Sequence, residues 1–225
     1  MRALIVVLVV LCASPAAPAT SASTTATDVF PIIVDDLGSH VAGQPTQFTA
    51  MLVDQSTPVP RAVLSLWLLP AGSSDWIQAG SATTDDSGSA SVVAVLDRNA
   101  AVQWRFANAS DQAPIVSTPY VVQIAPRITR RVNDRTLRRG QRLVIRGTTY
   151  PVKAGCAVEL WRGELRPLAS GPKPVRLGRS TVHANGAYRL VHRFRHRLHA
   201  HLTVVVPACA DNGRGLSSPV GVRVR

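Results

Sequence analysis

Arginines in the C-terminal part of the chain recur with a spacing that matters chemically. Across residues 188–197, Arg189, Arg193, Arg195 and Arg197 share one parity while Tyr188, Leu190 and Phe194 share the other. Alternate side chains of a β-strand point to opposite faces, and residues two apart lie about 6.6 to 6.8 Å from each other. The expected product is an apolar face turned to a core and a cationic ladder turned to solvent, matched to the successive phosphates of an extended polymer. Guanidinium forks suit phosphate and carboxylate better than ammonium does. No aromatic residue is interleaved with the exposed cations, which argues against base stacking and therefore against nucleic acid as a partner. An anionic cell-wall polymer of the teichoic-acid kind, or an anionic membrane surface, fits the ladder; so does a solvated edge with no ligand.

Other residues offer weaker chemistry. His192, His196, His199 and His201 cluster late, and His199-Ala200-His201 on a strand places two imidazoles on one side, a spacing that zinc or copper can use. No carboxylate stands beside them and the surrounding cations oppose a metal ion, so neither a metal site nor a cofactor is expected. Asp85-Asp86-Ser87-Gly88 carries two carboxylates, but a calcium loop needs about six or more oxygen ligands. A tight turn that needs Asp or Asn and Gly for its backbone angles explains this stretch and its counterpart, which has His183 and Ala184 at those places, and is the expected reading. There is no Gly-x-Ser-x-Gly elbow and no His-Glu-x-x-His, and beyond the N-terminal leader the glutamates are Glu159 and Glu164 alone. The chain is expected not to be an enzyme.

Targeting and charge narrow the setting. Arg2, the apolar run 3–11 and the small residues through Ala19 have the order of a secretory signal peptide, covering residues 1–19, with cleavage after Ala19 or after Ala22. The run is too short to stay in a bilayer, which takes roughly 20 apolar residues, and Leu11 argues against a lipid anchor at Cys12. Cleavage leaves Cys156 and Cys209, which in an oxidising compartment are expected to pair, two free thiols being the alternative. Residues 20–125 carry three arginines against nine aspartates, a net charge of −6. Residues 126–225 carry 19 arginines and two lysines against four carboxylates, a net of +17. Such a split bears on partners and solubility rather than on fold.

The elements that would hold these residues occur in two copies. Residues 78–90 and 176–188 share a plan in which Gly80, Thr83 and Gly88 answer to Gly178, Thr181 and Gly186, at an offset of 98. Gly43-Gln44 answers to Gly140-Gln141, the stretch ending in Trp67 to that ending in Trp161, and Ser117-Thr118-Pro119 to Ser217-Ser218-Pro219. Alternating apolar and polar residues predict strands near 29–35, 46–54, 61–69, 75–84, 88–96, 101–107 and 115–125, then near 127–133, 141–148, 156–162, 174–182, 187–195, 200–208 and 219–225. Seven short strands per hundred residues point to a β-sandwich of immunoglobulin or fibronectin type III kind. The predicted architecture is all-β: a disordered leader at 20–27, an acidic sandwich at 28–125 and a basic one at 126–225, joined end to end by a very short linker. Cys156 opens a third strand and Cys209 follows a sixth, antiparallel neighbours in such a sandwich. Alternation from Leu202, Val204 and Val206 points Cys209 outward, so a bulge near Pro207 is expected to turn it. Trp67 and Trp161 are expected at equivalent positions in the two cores, although strict alternation from Leu64 and Leu66 would turn Trp67 outward.

The run Pro58-Val-Pro-Arg61 to Trp67, followed by Thr83-Thr-Asp-Asp-Ser-Gly88 and Val102-Gln-Trp-Arg-Phe106, resembles the immunoglobulin-like repeats of exported actinobacterial proteins. The resemblance implies a secreted or cell-wall-associated spacer, adhesion module or hydrolase accessory, and no catalytic domain accompanies the repeats here. Two functions are therefore expected. One is a non-catalytic module whose basic half attaches to an anionic envelope polymer or surface; the other is a structural spacer or a module with a protein partner.

Overall fold

The computed structural model describes residues 29–34, 40–107, 114–165 and 173–225; the expected signal peptide and leader lie outside the described residues. Every regular element among them is a β-strand. The first seven principal strands are β1 (Val29–Val34), β2 (Pro45–Asp54), β3 (Val63–Pro70), β4 (Ile77–Thr83), β5 (Ser89–Val95), β6 (Ala100–Phe106) and β7 (Tyr120–Val122). In one sheet β1 and β5 flank β2, both antiparallel to it; the other runs β7-β6-β3-β4. Strand alternation decides what faces inward: Phe48, Ala50 and Leu52 from β2, Leu64 and Leu66 from β3, Ala90 and Val92 from β5, and Val102 and Trp104 from β6 form one apolar cluster. Each fully buried large side chain contributes about 1.5 to 3 kcal/mol.

The plan repeats in β8 (Arg131–Val132), β9 (Arg142–Tyr150), β10 (Ala157–Arg162), β11 (Val175–Thr181), β12 (Ala187–Arg193), β13 (Leu198–Val206) and β14 (Val220–Val224). Here β8 and β12 flank β9, and the opposing sheet runs β14-β13-β10-β11. Leu143, Ile145, Val158, Leu160, Tyr188, Leu190, Leu202, Val204 and Val222 belong to a second, separate cluster. The protein thus contains two immunoglobulin-like β-sandwiches. Their equivalence reaches single hydrogen bonds. Ser117 Oγ accepts from the Trp104 amide at 2.9 Å, and Ser217 Oγ from the Val204 amide at 3.0 Å. Both sandwiches carry a register shift at the same place, between Leu66 and Trp67 and between Leu160 and Trp161.

That shift bears on the two tryptophans, which correct an expectation. Trp67 and Trp161 are equivalent, but neither belongs to a core cluster: following Leu64 and Leu66, or Val158 and Leu160, each is the outward residue of its strand. The buried aromatic of the first sandwich is Trp104, fully enclosed on β6, where the second has Val204. Strict alternation prevailed over the analogy of a tryptophan buried on the third strand.

The two halves meet through loops. Asn212, 3% exposed, donates from Nδ2 to the carbonyls of Asp97 (3.0 Å) and Ile124 (2.9 Å). The Asn99 amide donates to the Asp211 carbonyl at 2.7 Å, and the Gly213 amide to that of Ile124 at 3.0 Å. The Asp211 carboxylate receives the buried Lys153 ammonium and Arg98 Nε (3.3 Å). Chiefly the Lys153 hydrogen bond, against some desolvation, holds Asp211 below the ordinary carboxylate value. Cys156 and Cys209 are joined in a disulfide with Cα atoms 6.1 Å apart. No bulge at Pro207 is involved: β13 ends at Val206, so its alternation no longer governs Cys209, which closes a turn with Asn212 through reciprocal backbone bonds of 3.2 Å.

Candidate anion-binding face

The backbone places the arginines before their chemistry enters. In β12, Tyr188 and Leu190 are buried at 2% exposure, and Phe194 just beyond it at 4%. The Tyr188 hydroxyl donates to the Thr129 carbonyl at 2.6 Å, and burial raises its pKa. His192 packs edge-on against Phe194, with Nδ1 3.0 Å from the Leu177 carbonyl. With that face anchored, Arg189, Val191 and Arg193 are exposed.

Their cross-strand neighbours extend the pattern beyond one strand. Arg189 is in register with Arg146, Val191 with Val144, and Arg193 with Arg142. On the far side of β9, Arg131 of β8 is in register with Arg146. Adjacent strands lie about 4.8 Å apart, so Arg131, Arg146 and Arg189 form one row across three strands; Arg142 and Arg193 form a second row about 13 Å along them. All five are exposed, and none has a carboxylate within ion-pairing distance among the described residues, where the acidic partners belong to Arg98, Lys153 and Arg176.

The expected ladder is thus divided. Arg189 and Arg193 lie on the sheet, whereas β12 ends at Arg193, short of the expected residue 195, and Arg195 and Arg197 stand exposed in the connection to β13. Arg131, Arg142 and Arg146 lie outside the expected ladder, because alternation along one strand is silent about its neighbours. Arg142 and Arg146 share the parity opposite Leu143 and Ile145, which is the signal that finds them.

The remaining candidates resolve differently. His199 and His201 both face outward on β13 with ring centroids 5.9 Å apart, beside a cavity of about 810 Å³ that Arg162 and Thr203 also line. No group of three His, Cys, Asp or Glu side chains able to hold a metal occurs among the described residues. The Asp85 carboxylate accepts from Ser87 Oγ (2.6 Å), the Ser87 amide (2.9 Å) and the Ser89 amide (3.0 Å), the first of which chiefly lowers its pKa. These bonds lock a turn. The same backbone bonds, Asp85 to Ser89 and Gly88 to Asp85, recur as His183 to Ala187 and Gly186 to His183. Gly88 has φ +74°, and a Cβ there would come within 2.5 Å of the Leu52 carbonyl, so the turn requires glycine.

No family model matches the chain, and no curated protein matches it in sequence. Among solved structures, the D0-D1 domain of intimin is similar at 14% identity and a TM-score of 0.32, covering 88% of this chain and 97% of that one. A C-terminal fragment of intimin in complex with the intimin-binding domain of its translocated receptor is similar at 14% identity and a TM-score of 0.42, covering 86% and 64%. Adhesin InvE of Yersinia pseudotuberculosis is similar at 14% identity and 0.34, covering 88% and 58%. Similarities at this level carry no information about function.

Proposed function

We propose that this chain is an exported, non-catalytic binding module of two domains, residues 28–125 and 126–225, whose basic domain attaches to an anionic polymer or surface of the cell envelope. The observation that carries the reading is the five-arginine face of β8, β9 and β12, uncompensated by any described carboxylate. Arginines directly opposite one another in a sheet repel and destabilise it by roughly 0.2 to 1 kcal/mol per pair, a cost that a purely solubilising surface would avoid by interspersing both signs. An anion that accepts from several guanidiniums at once removes the repulsion and gains charge-assisted hydrogen bonds.

The test is retention of the full chain on purified cell wall and on vesicles of phosphatidylglycerol, each across a salt series. Both are expected to retain the chain at low ionic strength and to release it as salt shortens the screening length from about 30 Å to 8 Å. Replacing Arg131, Arg142, Arg146, Arg189 and Arg193 with Gln should abolish that retention with the far-ultraviolet dichroism unchanged. Retention that ignores salt, or survives the five substitutions, would sink the reading. Retention in one arm alone would name that anionic source. A second reading, a spacer of fixed geometry, is favoured by the bonds of Asn212 and Asp211 across the junction; a chain with neither retention nor an identifiable ligand would leave it standing.

A further inference from the structure

The outward face of the other sheet differs between the sandwiches in a way that leaves one of them incomplete. Trp67 and Trp161 occupy equivalent positions and use their indole N–H alike, donating to the residue two before them: Ser65 Oγ at 3.0 Å and Glu159 Oε2 at 2.9 Å. In the second sandwich this face carries a carboxylate of its own. Glu159, 7% exposed, also accepts from the Arg176 guanidinium at 2.9 Å and is in register with Arg179. Burial pushes its carboxyl up, but the Trp161 and Arg176 hydrogen bonds and the charges of Arg176 and Arg179 outweigh that and keep it ionised below the ordinary range.

In the first sandwich the glutamate's place is taken by Ser65, and its cross-strand neighbour on β6 is a cation, Arg105, where the second has Val205. The Arg105 guanidinium lies 4.1 Å from the Trp67 ring centroid and 5.7 Å from that of Trp76. Its Nε donates to Gln103 Oε1 at 3.1 Å. The stacking holds the fork in one orientation, yet no described carboxylate pairs with it. On the same face stand Val63 and Val116, exposed at 56% and 41%.

We propose that the outward face of β3, β4 and β6 is a docking surface for a protein segment presenting an acidic side chain among apolar ones, its carboxylate taking at Arg105 the place that Glu159 fills in the other sandwich. Charge complementarity selects the carboxylate, since the only described charge on this face is a cation without a counter-ion. The aliphatic surround selects protein over a sugar acid or inorganic anion, because neither of those would dry Val63 and Val116. Tryptophan and arginine at the centre of a patch, enclosed by less energetic apolar contacts, is the composition in which binding energy concentrates. A fork already held over the Trp67 ring loses little freedom on binding. This surface is independent of the five arginines, which lie on the other sandwich, and it stands or falls apart from them.

The experiment selects random peptides displayed on phage against the full chain, with counter-selection on Arg105→Gln so that peptides drawn to other cations are discarded. Enriched sequences should carry Asp or Glu flanked by Leu, Ile, Val or Phe. A synthetic copy should bind the unaltered chain about tenfold or more tighter than Arg105→Gln or Trp76→Ala, as expected for a charge-assisted hydrogen bond. The same peptide with its acid changed to the amide should lose a similar factor. Arg105→Lys keeps the charge without the planar fork and should fall between, which separates recognition from misfolding. No enrichment over counter-selection, peptides lacking a carboxylate, or equal binding to Arg105→Gln would overturn the proposal. So would self-association of the chain that Arg105→Gln abolishes, which would put a second copy on this face.

Discussion

The same sheet position carries opposite chemistry in the two sandwiches. On the outward face of β2 and β5, Thr49 stands opposite Ser91, their hydroxyls 2.9 Å apart, with Gln47 donating to Ser91 Oγ at 3.2 Å and with Val93 and Val95 exposed beside them. On the corresponding face of β9 and β12, Arg146 stands opposite Arg189 and Arg142 opposite Arg193. Gly88 precedes Ser91, and Gly186 precedes Arg189, by the same three residues, so backbone and register are held constant while the face changes. The neutral face satisfies itself with short hydrogen bonds. The cationic one has no carboxylate among the described residues with which to do so. The difference separates what the fold requires from what was added to it.

The largest expected effects lie in what each sandwich uses for stability. Trp104 fills the first core and the Cys156–Cys209 disulfide staples the second, the cysteines standing 53 positions apart. Trp104→Ala should cost about 3 to 5 kcal/mol through lost burial and the cavity left behind. Removing both cysteines should cost about 4 kcal/mol by loop-closure entropy. Urea unfolding should show the first change lowering only the first transition and the second only the later half's. Trp67→Ala and Trp161→Ala, on outward faces, should each cost far less than Trp104→Ala.

Next in size is the junction between the halves. Because the folded Asp211 carboxyl titrates below its ordinary 3.8, through the Lys153 hydrogen bond first, its contribution is complete above the unfolded value and disappears as the pH falls through the folded one. A charge-assisted bond of this kind contributes about 1.5 to 3 kcal/mol. Stability of the unaltered chain should therefore drop below about pH 4, while Asp211→Asn should be less stable at neutral pH and fall less steeply through that range, the remaining slope belonging to Glu159 and Asp85. An unchanged acid profile in the variant would show that the pair does not hold the junction.

The face comparison can then be reversed. Thr49→Arg, Ser91→Arg and Val95→Arg together would write the pattern of Arg146, Arg189 and Arg193 onto the first sandwich. In a chain whose five native face arginines are Gln, these changes should restore about tenfold of the lost salt-sensitive retention. Failure to restore any would mean that the second sandwich contributes more than a row of guanidiniums.

Much of this architecture was legible in the sequence because a half-buried strand announces itself by alternation. The expected strand at 75–84 is Ile77–Thr83, and that at 141–148 is Arg142–Tyr150. Alternation is a statement about one strand, however, and it says nothing of register. Arg189 and Arg193 were visible as an outward set, whereas their meeting with Arg146, Arg142 and Arg131 depends on pairings fixed by turns and by the whole sheet. The same limit hid Arg105, which is an ordinary polar residue until β3 brings Trp67 beneath it. Cys209 shows the converse error, in which alternation was carried past the end of its strand.

The smallest expected effect is the most discriminating, because it changes sign between two measurements. Arg146 has an arginine in register on each side, Arg131 and Arg189, so it sits at the centre of the repulsion. Replacing it with Thr, the residue at the matching position of the first sandwich, removes one charge from two opposed pairs and introduces a β-branched side chain that suits a strand. The variant should be more stable than the unaltered chain by a few tenths to about 1 kcal/mol at low ionic strength, the gain shrinking as salt screens the charges. Its retention on anionic wall or vesicles should fall. If the arginines merely keep the protein dissolved, stability should rise with no loss of retention. If they brace the sheet through contacts of their aliphatic stems, stability should fall instead. Only a face that gives up stability for an external anion moves the two measurements in opposite directions.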